Sequence, residues 1–237
     1  EIAQCLVGSE MCIRDRLFDV DDTILDFQDT EHEALTALFA EQGLTMDLEM
    51  KQTYQEVNHG LWQQFEQGKL SRDQVVNERF GLFFKKYGRI VDSEAMEKHY
   101  RSYLDQGHKL LGNSQLVLAE LADKFDLYVV TNGVSKTQYR RLSDAKLMPY
   151  FRDIFVSEDT GYQKPMKEFF TYVFDRIPNF EQQKTVIIGD SLSSDILGGH
   201  LSGIDTIWLN PNKKAASTVL PTYEIQSLDQ LPSLLKD

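Results

Sequence analysis

Two aspartates spaced two residues apart could carry hydrolytic chemistry. Asp19 and Asp21 lie in the run DVDDT, directly after the apolar pair Leu17 and Phe18. An ionised carboxylate can attack a phosphorus atom, and a second carboxyl group can move protons to and from the reacting groups. With 21 aspartates among 237 residues, however, a D-x-D string is expected by chance. The pair predicts catalysis only if other reactive groups converge on it; otherwise it is an acidic turn that is solvated or caps a helix.

Three further side chains could bind a phosphoryl group. Thr131 and Asn132 follow the apolar run LYVV, and a hydroxyl and an amide can both donate hydrogen bonds to phosphoryl oxygens. Lys164 precedes Pro165 in the segment GYQKP, where the proline biases the backbone of Lys164 toward an extended conformation. Taken alone, Thr131 and Asn132 equally suit a helix N-terminus or a turn, and a single lysine is most often a surface group.

Two more carboxylates follow another apolar run. Asp190 comes directly after the residues VIIG, and Asp195 lies further along the same segment, GDSLSSD. Carboxylate oxygens at the end of a strand suit a hard cation such as Mg²⁺, which prefers oxygen ligands. The alternative is that Asp190 caps the next helix and that Asp195 is a first-turn acid favoured by the helix dipole.

The elements around these residues predict a parallel sheet. Past residue 105, short apolar runs alternate with helical patterns: SQLVLAELADKF, DLYVVT, SKTQYRRLSDAKL, DIFVS, KEFFTYVFDRI, TVIIGD, SSDILGGHLSG and DTIWLN. Such alternation is typical of an α/β fold with helices on both faces of the sheet. Ligands bind these sheets at the carboxyl ends of the strands. Because the reactive groups follow strands or their adjoining loops, we expect them to converge on one rim.

The part of the chain from residue 26 to residue 104 has a different pattern. Amphipathic segments such as TEHEALTALFAEQG and DQVVNERFGLFFKKYG predict helices, and no segment of this block predicts a strand. Because the block follows the first strand and the alternating pattern resumes after it, we expect an all-helical cap inserted into a Rossmann-like core. The predicted domains are a core of residues 1–25 and 105–237 and a cap of residues 26–104.

Composition limits the partners. The formal net charge is −12 and basic residues form no long cluster, which argues against a nucleic-acid polymer or an anionic membrane. A small phosphomonoester stays compatible, because a cation and local donors outweigh distant, screened charges. The two cysteines and five scattered histidines lack zinc-ligand spacing. Because no apolar stretch suits a membrane span and no signal peptide is recognisable, we expect a cytoplasmic protein.

The N-terminal segment departs from these patterns. The segment CLVGSEMCIRDR, residues 5–16, has no clear periodicity and resembles translated sequencing-adapter DNA, so residues 1–16 are expected to be foreign or a frayed terminus. The first strand should be a continuous apolar run, yet Arg14, Asp15 and Arg16 interrupt it. Charged side chains are costly to desolvate in a central parallel strand. Either the strand is short or these residues are foreign.

Taken in order, four motifs resemble those of the haloacid dehalogenase superfamily: DVDDT, the threonine of VVTNG, the lysine of GYQKP and IIGDSLSSD. More narrowly, TNGVSKTQYRRL, VSEDTGYQKP, GDSLSSDILGG and WLNP, with LWQQFEQGKLSRDQVVNERF in the cap, resemble pyrimidine 5'-nucleotidases of the YjjG/YfnB type, in subfamily IA with a helical C1 cap. The resemblance implies a Rossmann-like core under a helical cap. It also implies a magnesium-dependent phosphatase that acts on small phosphomonoesters, with pyrimidine nucleoside 5'-monophosphates as the expected substrates.

The resemblance assigns roles to the reactive residues. Asp19 is the expected nucleophile and forms an aspartyl-phosphate. Asp21 is the expected general acid and base, which requires that it hold a proton near neutral pH. The implied metal site comprises the carboxylates of Asp19 and Asp190 and the backbone carbonyl of Asp21, with Asp195 beside them. The implied phosphate-binding residues are Thr131, Asn132 and Lys164.

Substrate choice is expected to come from the cap. Trp62 and Phe65 could offer a face to a flat base, although aromatic residues at helical spacing more often pack in a core.

Three rival functions stay open. A haloacid dehalogenase shares the fold, but resemblance to that group predicts no acid two residues after the nucleophile, where Asp21 stands. A sugar phosphomutase of the β-phosphoglucomutase type would use the same pair of aspartates, and a non-enzymatic phosphate-binding protein could retain the fold.

Overall fold

The computed structural model describes residues 14–216 and 219–235. Its centre is a six-stranded sheet in the order β3-β2-β1-β4-β5-β6, with every neighbouring pair of strands parallel. The strands are β1 (Asp15–Phe18), β2 (Asp126–Thr131), β3 (Asp153–Val156), β4 (Thr185–Gly189), β5 (Asp205–Leu209) and β6 (Tyr223–Ile225). The predicted Rossmann-like α/β fold is confirmed.

The strand order reverses between β1 and β4. From β1 the chain builds outward through β2 to β3, then crosses back to add β4, β5 and β6 on the other side. In such sheets a crevice opens at the carboxyl ends of the two strands that flank the reversal. Asp19 follows β1, and its backbone N–H donates to the carbonyl of Ile188 in β4 at 3.0 Å. The predicted nucleophile therefore lies at the reversal.

Helices cover both faces of the sheet. They are α5 (Ser114–Ala122), α6 (Ser135–Asp144), α7 (Ser157–Thr160), α8 (Lys167–Phe174), α9 (Leu197–Ser202) and α10 (Leu231–Leu234). Side chains alternate along β1, so that Phe18 joins an apolar cluster with Leu118 of α5, whereas Leu17 joins the opposite cluster with Phe169 of α8. Within the described ranges, no helix combines the length and the apolar character needed to cross a membrane.

In the sequence, four longer helices lie between β1 and β2. They are α1 (Phe27–Glu41), α2 (Leu48–Glu66), α3 (Arg72–Lys86) and α4 (Ser93–Leu104). Each begins after a side chain that accepts a hydrogen bond from the first turn: Asp26, Asp47, Ser71 and Asp92. Phe39, Tyr54, Phe83 and Tyr100 belong to an apolar cluster confined to these helices. The division into domains at residues 25/26 and 104/105 stays a prediction.

The first strand is short and contains two buried charged residues. Asp15 and Arg16 are at most 1 % exposed, and both belong to β1. The guanidinium carbon of Arg16 lies 3.7 Å from the ring centroid of Phe125, a cation–π contact that partly offsets its loss of water. Burial raises the pKa of Asp15 to about 6. Residues 1–13 lie outside the described residues, so the foreign origin of residues 1–16 stays a prediction.

Candidate active site

The carboxyl ends of β1, β2 and β4 and the loop before α8 enclose one cavity. Its volume is about 230 Å³. Seven residues that the sequence analysis selected in the core line it: Asp19, Asp21, Thr131, Asn132, Lys164, Asp190 and Asp195. These residues come from four separate segments of the chain. The structure therefore brings together the groups that the strand pattern placed on one rim.

Lys164 is the centre of this arrangement. Its Nζ donates to Oδ1 of Asp19 at 2.7 Å, to Oδ1 of Asp195 at 2.6 Å and to the carbonyl oxygen of Val130 at 2.7 Å. Burial opposes a charged ammonium, but the charges of Asp19 and Asp195 outweigh it and raise the pKa of Lys164. The three contacts use all three ammonium hydrogens, so the direction of the side chain is fixed.

Asn132 holds the loop that carries Lys164. Its Oδ1 accepts from the backbone N–H of Lys164 and its Nδ2 donates to the carbonyl of Lys164, both at 2.9 Å. The predicted amide donor to phosphate is thus partly engaged in positioning the lysine. Its predicted contact with phosphate depends on the second N–H of the amide, because the first is occupied.

Thr131 points a donor into the cavity. Its Oγ1 accepts from the backbone N–H of Gly133 and from Nε2 of Gln138, each at 3.1 Å. A hydroxyl accepts two hydrogen bonds and donates one, so its O–H stays available for a ligand. A Cβ on Gly133 would lie 2.2 Å from Nε2 of Gln138, which explains the glycine of the TNG motif.

Three carboxylates are crowded at the reversal point. Oxygens of Asp19, Asp190 and Asp195 lie within 4.8 Å of one another. Burial raises the pKa of Asp19 to about 7, with Lys164 opposing the rise and Asp195 adding to it. Burial and the charges of Asp19 and Asp195 also raise the pKa of Asp190 well above its usual range. One ammonium does not compensate three carboxylates, whereas a divalent cation bound by oxygen ligands would, so this donor set fits Mg²⁺.

Asp195 is more fully engaged than the other two carboxylates. Its Oδ1 accepts from Lys164, and its Oδ2 accepts from the backbone N–H of Ser191 at 3.1 Å. A Cβ on Gly189 would lie 2.2 Å from that Oδ2, so the last residue of β4 must be a glycine for Asp195 to reach the site. This arrangement suits Asp195 to orienting Lys164 and leaves oxygens of Asp19 and Asp190 for a metal.

Asp21 is held by two residues of α6 that the sequence analysis missed. Its Oδ2 accepts from Nε2 of Gln138 at 2.6 Å, and its Oδ1 forms an ion pair with Nη1 of Arg141. Gln138 and Arg141 lie one helical turn apart and are both buried. Their spacing of three residues, on the helix that follows Thr131, places both side chains on one helix face and could have indicated from the sequence that they reach the site.

The third aspartate of DVDDT, Asp22, binds the start of α1. Asp22 adopts a positive φ of 56°, and its Oδ1 accepts from the backbone N–H groups of Phe27 and Gln28 at 3.0 and 3.1 Å. Burial raises the pKa of Asp22 to about 6. These contacts satisfy the free N–H groups at the start of α1. The neighbouring Thr23 places its Oγ1 3.4 Å from Oδ2 of Asp19.

The helical block supplies the outer wall of the cavity. Trp62 of α2, a predicted site residue, lines the cavity. Four further lining residues were not predicted from the sequence: Phe27, Glu66, Arg79 and Arg101. Phe65 packs in a cluster with Leu61 and Val75, and its ring lies nearly perpendicular to that of Trp62 at a centroid distance of 5.5 Å. The structure thus places Phe65 in a packed cluster and outside the lining of the cavity, and its contact with substrate stays a prediction.

Two arginines of this wall share one acid. Nε of Arg79 donates to Oε2 of Glu97 at 2.8 Å, and Nε of Arg101 donates to Oε1 of the same carboxylate at 3.1 Å. Nη1 of Arg79 also donates to Asn58, whose amide donates to Glu31. Burial raises the pKa of Glu31 to about 6, so this acid is mostly ionised near neutral pH. Glu97 and Glu31 therefore balance the charges of Arg79 and Arg101 on this side of the wall.

Comparisons with known proteins agree with this geometry. The haloacid dehalogenase-like hydrolase family matches residues 16–209. The chain is 53% identical to the HAD-hydrolase YfnB of Bacillus subtilis, covering 94% of this chain and 95% of YfnB. It is 40% identical to the pyrimidine 5'-nucleotidase PynA of Streptococcus pneumoniae, covering 91% and 92% of the two chains.

A solved structure agrees as well. The crystal structure of Bacillus subtilis YfnB bound to magnesium, which reveals interdomain movement, superposes with a TM-score of 0.90 at 52% identity. The superposition covers 94% of this chain and 99% of YfnB. The sequence and the overall fold are thus matched by relatives over nearly the whole length. The chain belongs to the haloacid dehalogenase-like hydrolase family.

Proposed function

We propose that this protein is a magnesium-dependent phosphomonoester hydrolase that works through an aspartyl-phosphate on Asp19. The observation that carries the proposal is the contact of one buried ammonium, that of Lys164, with both Asp19 and Asp195 beside Asp190. This cluster offers a nucleophile, a fixed positive charge and oxygen ligands for a cation at one point. Hydrolysis through an aspartyl-phosphate uses each of these parts.

Hydrolysis proceeds in two displacements. A carboxylate oxygen of Asp19 forms a bond to phosphorus while the bond from phosphorus to the ester oxygen breaks, and Asp21 gives its proton to the departing oxygen. Water then attacks the phosphorus of the aspartyl-phosphate and loses a proton to Asp21. Phosphate leaves, and the carboxylate of Asp19 is restored. Atoms and protons balance over the two steps, so Asp21 ends as it began.

The phosphoryl oxygens are held by residues at the strand ends. The free O–H of Thr131 and the remaining N–H of Asn132 donate to them, and Lys164 supplies positive charge. Mg²⁺, held by the carboxylates of Asp19 and Asp190 and the backbone carbonyl of Asp21, would neutralise further negative charge on the phosphoryl group. Asp195 keeps Lys164 in place during both displacements.

Pyrimidine nucleoside 5'-monophosphates are the proposed substrates. The named activity of PynA supports this assignment, as does that of the more distant YjjG of Escherichia coli, which is 28% identical over 92% of this chain. Within the chain, Trp62 lines the outer wall of the cavity and offers a face to a flat base. Arg79 and Arg101 line the same wall, and their guanidinium N–H groups can donate to the carbonyl oxygens of a pyrimidine. A cytoplasmic location accords with such a substrate.

A panel of phosphomonoesters tests this proposal. Phosphate release is measured from uridine, thymidine and adenosine 5'-monophosphates and from glucose 1-phosphate, with Mg²⁺ and with a chelator. We expect release from the pyrimidine nucleotides above all, loss of activity with the chelator and recovery when Mg²⁺ is added back. Isomerised sugar without phosphate release would establish a phosphomutase instead. No hydrolysis across the panel would leave a phosphate-binding protein that lacks catalysis.

A further inference from the structure

Arg141 is buried at the boundary between the helical block and the sheet. Its side chain is 1 % exposed, and four groups surround its guanidinium. Nη1 contacts Oδ1 of Asp21 and lies 3.1 Å from Oε1 of Gln138, and Nε donates to the carbonyl oxygen of Gly107 at 2.7 Å. The guanidinium carbon lies 5.5 Å from the ring centroid of Phe27.

Two of these four contacts are with the chain segments that connect the helical block to the sheet. Phe27 is the first residue of α1, just after the turn that follows β1. Gly107 follows the end of α4 at Leu104, where the chain returns toward α5. A Cβ on Gly107 would lie 2.0 Å from Thr30 of α1, so the two connections are in close contact. Arg141 thus touches both connections and the carboxylate of Asp21.

The contact of Arg141 with Gln138 links Asp21 to the carboxyl end of β2, where Thr131 lies. Gln138 accepts from Arg141 through its carbonyl oxygen, and its Nε2 donates both to Oδ2 of Asp21 at 2.6 Å and to Oγ1 of Thr131 at 3.1 Å. Both oxygens of Asp21 are therefore fixed from α6. Because Gln138 contacts both groups, it also fixes the carboxylate of Asp21 relative to the hydroxyl of Thr131.

We propose that Arg141 is a positioning residue for Asp21, and that the guanidinium sets the place of this carboxyl group relative to the two connecting segments. The inference rests on the proposed function, in which Asp21 transfers the proton. A carboxyl group in a turn beyond the end of a strand can rotate about two side-chain bonds, so proton transfer needs its orientation to be fixed. Arg141 binds Oδ1 of Asp21 and Gln138 binds Oδ2, so together they fix the orientation of the carboxyl group.

Leaving-group dependence tests this role. Phenyl phosphate and p-nitrophenyl phosphate are similar in shape, but the phenolate leaving group needs a proton far more than nitrophenolate does. If Arg141 positions the acid, Arg141→Met should lower kcat/KM for phenyl phosphate by about 10 to 100-fold more than for p-nitrophenyl phosphate. Arg140→Met is the matched control, because Arg140 lies on the same helix, is exposed and pairs with Asp144; this variant should keep the wild-type ratio.

A double-mutant cycle separates positioning from general damage. In the Asp21→Asn background, Arg141→Met should change the ratio of the two substrates no further, because the group that it positions is gone. An equal loss for both substrates in Arg141→Met, or a full additional effect in the Asp21→Asn background, would overturn the proposal. If Arg141→Met fails to fold, Gln138→Met removes the second contact and should shift the ratio in the same direction. Absence of hydrolysis by the wild-type enzyme would instead refute the proposed function.

Discussion

The ammonium of Lys164 lies 2.7 Å from Oδ1 of Asp19, although the two residues are 145 positions apart in the chain. The same ammonium lies 2.6 Å from Asp195, and its remaining hydrogen is donated to the backbone of β2. The ion pairs are buried, so removal of Lys164 leaves the neighbouring carboxylates without a counter-charge. The site and the fold therefore depend on the same contacts.

Lys164→Met should reduce both stability and activity. Loss of one partner of a buried ion pair costs about 3–5 kcal/mol, and loss of the charge that faces phosphate should lower kcat/KM by at least about 100-fold. Urea denaturation and a phosphate-release assay measure the two effects. Adding Asp195→Leu should restore part of the stability, because one of the carboxylates left without a counter-charge is removed, but not the activity. Lys124→Met, at an exposed position, is the control, and equal behaviour of the two lysine variants would contradict this account.

Gly189→Ala should damage the site through Asp195. The added methyl group would lie 2.2 Å from Oδ2 of Asp195, so the carboxylate must move away from Lys164. We expect a loss of about 1–3 kcal/mol in stability from overpacking and a fall in activity that exceeds the effect on stability. Thermal unfolding and phosphate release report the two quantities.

The matched control for this change lies in α2. Gly60 has open space at its Cβ position, so Gly60→Ala should stabilise the helix by roughly 0.5–1 kcal/mol without changing activity. Wild-type activity in Gly189→Ala would show that the approach of Asp195 to β4 is dispensable.

Asp15→Asn should stabilise the protein above neutral pH. Burial raises the pKa of Asp15 to about 6 from an ordinary value near 4, so the folded state binds this proton more tightly than the unfolded chain. The wild type therefore loses stability as the pH rises from about 4 to above 6, by up to about 3 kcal/mol from this group. The advantage of Asp15→Asn should grow over the same interval.

Denaturation of both proteins between pH 4.5 and pH 8 measures this difference, and other titrating groups cancel in the comparison. Asp123→Asn, which changes an exposed carboxylate, is the control. A difference between Asp15→Asn and wild type that stays constant over this pH range would mean that Asp15 is not desolvated in the fold.

Trp62→Ala should weaken nucleotide binding while sparing small substrates. Stacking of a base on an aromatic ring contributes about 1–3 kcal/mol, so KM for uridine 5'-monophosphate should rise roughly 10-fold or more. KM for a small alkyl phosphate should stay near the wild-type value. Phe65→Leu, in the packed cluster beneath, should lower the melting temperature without changing the preference between the two substrates. A parallel rise in KM for both substrates in Trp62→Ala would argue against a base contact.

Much of the fold could be predicted because strands and helices alternate along the chain past residue 105. The ends of β2 and β4 follow long apolar runs, so Thr131, Asn132, Asp190 and Asp195 could be placed on one rim. The edge strand β6 was not predicted, since Tyr223–Ile225 is three residues long and partly exposed. Its short length leaves too little periodicity to recognise.

Other parts of the site depend on packing that the sequence pattern does not encode. Arg141 contacts Asp21 across 120 positions because α6 packs beside both connections to the helical block. The different positions of Trp62 and Phe65 have the same origin: their side chains have similar chemistry, and only the packing of α2 on α3 decides which ring lines the cavity. The first strand shows the opposite case, in which the fold accommodates Asp15 and Arg16 against the expected pattern.

Detection of a phosphoryl group on Asp19 tests the central claim most directly. Enzyme is mixed with a pyrimidine nucleotide and Mg²⁺, quenched rapidly in acid and analysed by mass spectrometry of its peptides. We predict one added phosphoryl group on the peptide that contains Asp19, in the wild type and in Asp22→Asn, where the asparagine oxygen can still accept from the backbone N–H groups at the start of α1. Asp19→Asn should lack the label and release no phosphate. A phosphoryl group on another residue, or substantial turnover by Asp19→Asn, would contradict the account.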